Sequence, residues 1–275
     1  MPFLILIIGF ALLIKGADVF VEGASSIAKK FNVPSMIIGL TIVAMGTSAP
    51  EAAVSVTSSL AGQNDMSVAN VVGSNFFNVL VVLGVSSIIA KLPVQEETIK
   101  KDTPFLILVS ILLLVFGINL KLGRIEGLAI LGLFTYFLVN TIKSAKKATE
   151  DDSLETGETA IAIETQTSSE ISLPKTILVS LVGIVGIVLG GDMVVNSATS
   201  IATSLGMSAN LVGLTIVAVG TSLPEFVTSI VAIKKGETEI AIGNVIGSNL
   251  FNILLVLGLA AVINPISMSM LAFID

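Results

Sequence analysis

Long apolar segments, separated by short polar ones, make up most of the chain. A helix needs about 20 residues to cross the ~30 Å hydrocarbon core of a bilayer. Eight segments reach or approach that length, namely 3–26, 35–60, 66–90, 103–119, 124–142, 174–201, 209–233 and 239–263. The pattern therefore predicts an all-α membrane protein, a polytopic helical bundle in which eight transmembrane helices are present.

The composition agrees with this fold class. Of the residues, 53% are hydrophobic and only 12% are charged, whereas about a quarter are charged in a soluble domain. The absence of cysteine excludes disulfides and thiolate metal sites, and the absence of histidine removes the commonest proton shuttle and zinc ligand. We therefore expect neither an enzyme nor a nucleic-acid-binding protein, and no bound cofactor.

A repeated motif organises the chain. Residues 39–51 read GLTIVAMGTSAPE, and residues 213–225 read GLTIVAVGTSLPE. The same offset of 174 residues carries the whole segment 39–84 onto 213–258, with 24 identities in 46 positions. The chain is therefore interpreted as a first repeat (1–142, spans one to five), a linker (143–173) and an incomplete second repeat (174–275, spans six to eight).

Basic residues are distributed unevenly between the two sides of the predicted bundle. Eleven lysines lie in the loops after spans one, three, five and seven, against only Lys121 and Arg124 on the other side. By the positive-inside rule, the N-terminus lies outside a plasma membrane, and the acidic linker 143–173 is a mobile cytoplasmic segment. Span two then enters from the cytoplasm and span seven from outside, so the two repeats are inverted. Inverted repeats with interrupted helices are typical of secondary transporters.

The repeated motif places a carboxylate inside an apolar span. Pro50 has no amide N–H, so the carbonyl of Gly46 loses its helical partner and must find another one in the membrane. Thr47 and Ser48 lie four and three residues before Glu51, so all three side chains share one helix face. An intramembrane carboxylate is costly and indicates a functional site. The equivalent residues of the second repeat are Gly220, Thr221, Ser222, Pro224 and Glu225.

Spans three and eight add further oxygen ligands. Ser74 with Asn78, and Ser248 with Asn252, are pairs four residues apart on one helix face. Together with the motif residues they give an all-oxygen site with two carboxylates. Such ligands suit Ca²⁺, and Na⁺ as another hard ion, but not soft metals.

Three other pairs of polar residues in the spans have competing interpretations. Helix packing is favoured for a pair of threonines. A salt bridge or a helix-end contact is favoured for a pair of aspartates, the first of which follows Lys15 by three residues. For a pair of asparagines, helix–helix hydrogen bonding and lining the site are equally compatible with the sequence. The pairs are Thr41 and Thr215, Asp18 and Asp192, and Asn75 and Asn249.

The two G-T-S-x-P-E segments, each followed by N-x-x-G-S-N-x-F-N, resemble the α-repeats of the cation/Ca²⁺ antiporter superfamily, most closely sodium/calcium exchangers of prokaryotic type. The resemblance covers spans one to three and six to eight, and is weak in spans four and five. It implies that Asn78 and Asn252 line the site and that spans one and six slide to alternate access. It implies Ca²⁺ ligation by Glu51, Glu225, Thr47 and Thr221, and Na⁺ ligation by Ala44, Thr47, Ser48, Glu51, Ser74, Ala218, Thr221, Ser222, Glu225 and Ser248.

The resemblance predicts a secondary active antiporter that exchanges Na⁺ for Ca²⁺ by alternating access. The proton-coupled branch of the superfamily typically has G-N-A-x-E at the motif, and the K⁺-dependent branch has Asp where Asn252 stands, so Na⁺ coupling without K⁺ is favoured. An H⁺/Ca²⁺ antiporter on the same scaffold is the alternative, and a passive cation channel is a further one. An intramembrane protease is least favoured, because Asp18 and Asp192 lie in no catalytic motif.

The family resemblance also implies ten spans, of which eight are present here. The two repeats are expected to be related by a pseudo-two-fold axis. Spans four and five then lie on one side of it only, because the second repeat lacks their counterparts. Span eight and the run 266–273 are expected to face lipid where two further helices would pack. We therefore expect the partners to be Ca²⁺, Na⁺ and the lipid bilayer, together with two further C-terminal helices or a partner chain.

Overall fold

The computed structural model of the chain describes residues 2–156, 173–207, 216 and 218–267, and these are helical almost throughout. In the first half, α1 spans Pro2–Lys30, α2 Ser35–Ile38, α3 Ala44–Thr47, α4 Ala49–Leu60, α5 Asn64–Phe77, α6 Gly84–Ile89, α7 Thr103–Gly117 and α8 Arg124–Thr156. In the second half, α9 spans Leu173–Ser204, α10 Ala218–Gly220, α11 Leu223–Lys234, α12 Thr238–Phe251 and α13 Gly258–Ile263. Four π-helical segments are described in full and connect some of these helices: π1 Gly39–Val43, π2 Asn78–Leu83, π3 Thr98–Asp102 and π4 Asn252–Leu257.

The described helices follow the predicted spans closely. Five of them are long and apolar enough to cross a membrane alone, and the pair Ser35–Thr47 and Ala49–Leu60, bent by 49°, forms a sixth span if it is counted as one. The fourth predicted span contains only the 15 residues of α7, and the seventh is described only from residue 218, apart from residue 216. A bundle of membrane-spanning helices is therefore confirmed, while the count of eight stays a prediction.

The first part of the predicted linker is helical. Helix α8 continues through residues 143–156 without a break, so the first part of the predicted mobile segment is helical. Alanine, lysine and glutamate are frequent there, and all three are good helix formers. The rest of that prediction, over residues 157–172, lies outside the described residues.

Helices α1 and α9 pack against each other along a line of glycines. A Cβ added at Gly16 would lie 2.7 Å from the amide nitrogen of Ile187, and one added at Gly190 would lie 2.5 Å from that of Leu13. As the residue numbers rise along α1, those of the contacts on α9 fall, so the two helices are antiparallel. That is the arrangement an inverted repeat requires, and glycine is needed because the two backbones touch.

The last described span, formed by α12, π4 and α13, is more enclosed than the other long described helices. Helices α7 and α8 pack over it through Val109, Ile130 and Phe137. Its side chains Leu250 and Leu254 are fully buried. The expectation that span eight faces lipid is therefore wrong, because spans four and five cover the opposite repeat and not their own.

The start of the run 266–273 is also enclosed. Ile266 is buried and lies opposite Leu122 in a two-residue antiparallel ladder between β1 (Lys121–Leu122) and β2 (Ile266–Ser267). The rest of that run, from residue 268, lies outside the described residues.

Candidate cation site

Each repeated motif interrupts its helix and begins a new one just before the carboxylate. At Ser48 the backbone leaves the helical region (φ −82°, ψ 9°), and α4 starts immediately afterwards with Pro50 and Glu51 in its first turn. Ser222 has the same role before α11 (φ −92°, ψ 4°), where Glu225 stands in the first turn. The positive end of a helix dipole stabilises a carboxylate in this position. Both glutamates are fully buried.

The two repeats exchange serine hydroxyls across the site. Ser48 Oγ of the first repeat donates to Glu225 Oε1 of the second at 2.7 Å. Ser222 Oγ of the second repeat lies 3.2 Å from Glu51 Oε1 of the first. Each carboxylate is therefore held by the motif of the other repeat, which the sequence did not predict.

Spans three and eight contribute a second pair of serines. Ser74 Oγ lies 3.1 Å from Glu51 Oε1, and Ser248 Oγ lies 3.4 Å from Glu225 Oε1. Ser74 also lies 2.9 Å from Ser222 Oγ. The four predicted serines and both glutamates are buried, and Asn252 Nδ2 donates to Ser74 Oγ at 3.2 Å. Together with the asparagines of spans three and eight they form one buried cluster.

Four asparagines from spans three and eight are joined in a chain of hydrogen bonds, in the order Asn78, Asn249, Asn75 and Asn252. Asn75 Nδ2 donates to the carbonyl of Asn249 at 3.3 Å, and Asn249 Nδ2 donates to the carbonyl of Asn75 at 3.4 Å. Asn78 Nδ2 donates to Asn249 Oδ1, and Asn252 Nδ2 donates to Asn75 Oδ1, both at 3.1 Å. Of the two interpretations of Asn75 and Asn249, the structure therefore places both in helix–helix hydrogen bonds.

Several oxygens of the cluster have no hydrogen-bond partner. Among the described residues, seven buried side-chain oxygens are of this kind, and four belong to this cluster. All four are pure acceptors: Glu51 Oε2, Glu225 Oε2, Asn78 Oδ1 and Asn252 Oδ1. A buried acceptor without a donor is costly, and native proteins leave few of them. A cation that binds these oxygens removes that cost.

The predicted threonine ligands lie beside the same cluster. Thr47 Oγ1 lies 3.0 Å from Asn244 Oδ1 and 3.5 Å from Ser248 Oγ. Thr221 Oγ1 lies 3.4 Å from Asn70 Oδ1. Sequence reasoning missed Asn70 and Asn244 as site residues, although each is the first asparagine of the repeated N-x-x-G-S-N segment.

The predicted alanine ligands are placed less clearly. The carbonyl of Ala44 accepts the amide N–H of Ser48 at 3.0 Å and lies 3.3 Å from Thr47 Oγ1. A cation at this carbonyl would therefore compete with the existing hydrogen bonds. Ala218 is the first residue of α10. The roles of both alanines stay predictions.

The remaining polar residues of the spans differ in their contacts. Asp18 Oδ1 lies 2.9 Å from Lys235 Nζ, and Asp18 Oδ2 lies 3.7 Å from Lys15 Nζ, so the favoured salt bridge is confirmed for this residue. Asp192 is exposed and forms no ion pair among the described residues. Thr41 Oγ1 donates within its own helix to the carbonyl of Ile37 at 2.7 Å. Thr215 lies outside the described residues.

Two of the partnerless oxygens belong to residues that begin π-helical segments. Asn78 is the first residue of π2, and Asn252 is the first residue of π4. Single π-helical turns inside α-helices are frequent at functional sites. A π-helical segment therefore begins at the site in each of the two repeats.

Comparison with known proteins bears out the resemblance found in the sequence. A model of the sodium/calcium exchanger protein family matches residues 1–143 and 175–273. The chain is 44% identical over 263 residues to the putative antiporter CaxA of Alkalimonas amylolytica, which covers 94% of this chain and 80% of that protein. It is 33% identical over 295 residues to the sodium/calcium exchanger MaX1 of Methanosarcina acetivorans, which covers 97% of this chain and 84% of that protein.

A solved structure has the same fold. The sodium-calcium exchanger NCX_Mj, from crystals soaked with 2.5 mM Na⁺ and 0.1 mM Ca²⁺, superposes with a TM-score of 0.84 at 30% identity. The match covers 99% of this chain and 85% of that one. The chain therefore belongs to the sodium/calcium exchanger protein family.

Proposed function

We propose that this chain is a plasma-membrane antiporter that exchanges Na⁺ for Ca²⁺ by alternating access. The observation that carries the proposal is the set of four partnerless acceptor oxygens, two from carboxylates and two from amides, in one buried cluster. A divalent cation balances the two carboxylates and accepts six to eight oxygen ligands in flexible geometry, as Ca²⁺ does. The relatives named as sodium/calcium exchangers support the same reading.

The proposed ligands divide into two overlapping sets. Ca²⁺ is bound by the carboxylates of Glu51 and Glu225 with oxygens of Thr47 and Thr221, while Asn78 and Asn252 line the site. Na⁺ ions use oxygens of both glutamates, both threonines, both alanines and four serines. The sets share both carboxylates, so Na⁺ and Ca²⁺ compete. The alanines and serines are Ala44, Ala218, Ser48, Ser74, Ser222 and Ser248.

Charge explains why exchange is obligatory in this proposal. An empty site would carry two carboxylates through a medium of low dielectric constant, and an uncompensated buried charge is costly. Ca²⁺ or a set of Na⁺ ions neutralises the carboxylates and lets the bundle change its opening. Return without a bound ion is therefore disfavoured.

Proton coupling is the alternative, because Glu51 and Glu225 could be neutralised by protons as well as by Na⁺. The two can be distinguished with the purified chain in liposomes by measuring ⁴⁵Ca²⁺ uptake under an outward Na⁺ gradient, an outward H⁺ gradient, or neither. We expect uptake only with the Na⁺ gradient. Uptake driven by H⁺ without Na⁺ would assign the chain to H⁺/Ca²⁺ exchange. Uptake without any gradient, together with single-channel currents, would indicate a channel.

A further inference from the structure

Two further asparagines lie next to the cluster, and their side-chain oxygens are not among those without a hydrogen-bond partner. Asn70 lies on α5 and Asn244 on α12, one in each repeat and 174 residues apart. Asn244 is fully buried. Neither amide has a buried polar atom without a partner, unlike those of Asn78 and Asn252. Their hydrogen bonds therefore indicate a supporting role.

Each of these amides joins both repeats. Asn70 Nδ2 donates to the carbonyl of Glu51 at 3.3 Å and to Ser55 Oγ at 3.0 Å, within its own repeat. Its Oδ1 lies 3.4 Å from Thr221 Oγ1 in the other repeat. The amide thus connects the helix that carries one carboxylate to the motif that carries the other.

Asn244 repeats this arrangement from the opposite side. Its Nδ2 donates to the carbonyl of Glu225 at 3.3 Å and to Ser229 Oγ at 3.0 Å. Its Oδ1 accepts from Thr47 Oγ1 at 3.0 Å. Two independent copies of the same three contacts show that the arrangement is a feature of the fold.

The direction of the threonine proton is the chemical consequence. A hydroxyl has one proton and two acceptor lone pairs. The Ser48 hydroxyl points its proton at the carboxylate of Glu225. The Thr47 hydroxyl has Asn244 Oδ1 as its nearest acceptor at 3.0 Å, while the carbonyl of Ala44 at 3.3 Å and Ser248 Oγ at 3.5 Å lie farther away. When Thr47 donates to Asn244, both lone pairs of its hydroxyl remain for a cation.

We propose that Asn70 and Asn244 are positioning residues that orient the Thr221 and Thr47 hydroxyls for cation binding across the repeat boundary. Each also fixes the first turn of the helix that carries the carboxylate of its own repeat. The inference rests on the proposed function, since it assumes that the cluster binds the transported cation. Its specific content is the crossed pairing, in which Asn70 acts with Thr221 and Asn244 acts with Thr47.

Double-mutant cycles test this pairing. Asn70→Leu and Asn244→Leu keep much of the side-chain volume but remove the amide, and Thr→Val removes the hydroxyl alone. One lost hydrogen bond should reduce apparent Ca²⁺ affinity about three- to tenfold, while maximal uptake at saturating Ca²⁺ is largely retained. Asn70→Leu should lower the affinity by a smaller factor in a Thr221→Val background than in the wild-type chain, because the bond between Asn70 and Thr221 is already lost there and only the bonds to Glu51 and Ser55 remain to be removed. In a Thr47→Val background, Asn70→Leu should lower the apparent Ca²⁺ affinity by the same factor as in the wild-type chain.

The matched control is Asn264→Leu. Asn264 Nδ2 donates to the carbonyl of Ser59 at 3.1 Å, which is also a hydrogen bond between the two halves of the chain but lies away from the cluster. We expect it to lower thermal stability without changing Ca²⁺ affinity. Equal coupling of Asn70 to both threonines, or unchanged Ca²⁺ affinity in the asparagine variants, would overturn the inference.

Ca²⁺ binding is measured on the purified proteins by the Ca²⁺ concentration that half-maximally raises the melting temperature, alongside ⁴⁵Ca²⁺ uptake. If wild-type protein binds Ca²⁺ but shows no Na⁺-driven uptake, the proposed function fails. The crossed pairing of asparagines and threonines can then still be tested by the Ca²⁺ affinities of the variants. If wild-type protein takes up Ca²⁺ and the cycles show no crossed coupling, the positioning role alone fails. Variants that do not fold are replaced by Asn→Ser, which retains a smaller polar group.

Discussion

At the scale of single residues, the two buried glutamates distinguish this site from ordinary helix packing. Each has one carboxylate oxygen in hydrogen bonds with serines and one without a partner. Serine and threonine are common in membrane helices for packing alone, but packing has no use for two buried carboxylates related by a repeat. The carboxylates are therefore the residues whose charge should matter most.

We predict that Glu51→Gln or Glu225→Gln reduces Na⁺-driven ⁴⁵Ca²⁺ uptake to the background of empty liposomes. Loss of one carboxylate leaves a site that no longer balances the charge of Ca²⁺, while glutamine keeps the size of the side chain. Glu96→Gln is the control, since Glu96 is exposed and pairs only with Lys100 at 2.5 Å among the described contacts. Wild-type uptake by either site variant would show that the cation is bound elsewhere.

The sequence predicted which types of residue form the site, but not which of their side chains contact each other. The spacing of Thr47, Ser48 and Glu51 on one helix face follows from local geometry. The exchange of serines between repeats, and the use of Asn75 to hold Asn252, depend on how distant helices meet. A repeat identifies equivalent positions without saying which of them touch, so Asn70 and Asn244 went unrecognised.

At the scale of helices, the two ends of the α1–α9 pair pack differently against their neighbouring helices. Helix α1 packs along α11, whereas its equivalent α9 makes no comparable contact with α4 in the described part of the chain. The first contact is strengthened by ion pairs of Lys235 with Asp18 at 2.9 Å and with Glu22 at 3.5 Å. The position equivalent to Lys235 is Ala61, so the other end lacks this pair. The end of the pair that is predicted to be cytoplasmic is therefore the more tightly packed one in this structure.

We predict that Lys235→Ala opens this side more often. Exposed ion pairs contribute up to about 1 kcal/mol each, so losing both should raise the population of the open form by up to about thirtyfold. The chain has no cysteine, so a single cysteine at Ala232, which is fully buried in the wild-type structure, reports opening through its rate of labelling by a thiol reagent. Ala232 lies in the cluster with α1 side chains such as Val21.

Lys234→Ala is the matched control for this helix contact. It removes the same charge from the neighbouring position, where Lys234 is exposed and makes no ion pair among the described residues. Its labelling rate should equal that of the parent. If both lysine variants accelerate labelling equally, net charge and not the ion pairs keeps this end closed.

At the scale of the whole molecule, orientation in the membrane follows from the uneven distribution of lysine. We predict that a cysteine at Gln63 is labelled only from outside, and that cysteines at Ser153 and Ser168 are labelled only from the cytoplasm. The measurement uses a membrane-impermeant thiol reagent on intact cells and on inverted vesicles. Labelling of Gln63 and Ser153 from the same side would contradict the inverted arrangement of the repeats.

The spans were predictable from hydrophobic length, because a membrane helix satisfies its own backbone and needs few distant contacts to be recognised. Their arrangement was not, since apolar side chains toward lipid and toward another helix look alike in sequence. Span eight illustrates this, being predicted to face lipid and found to lie beneath α7 and α8. The exposed apolar face belongs to span three instead.

That face gives the last prediction. Leu80 is 69% exposed and Phe76 is 56% exposed, whereas their equivalents Leu254 and Leu250 are fully buried beneath spans four and five. The two-fold relation therefore predicts that two further helices, from a longer chain or a partner, fit over span three. When the chain is extended by two C-terminal spans from a relative, a cysteine at Leu80 should crosslink to cysteines in the added helices, and Na⁺-driven uptake should rise. A cysteine at Leu254 should not crosslink. Full exchange by a monomer of the 275-residue chain, with no crosslink at Leu80 in the extended form, would show that this face needs only lipid.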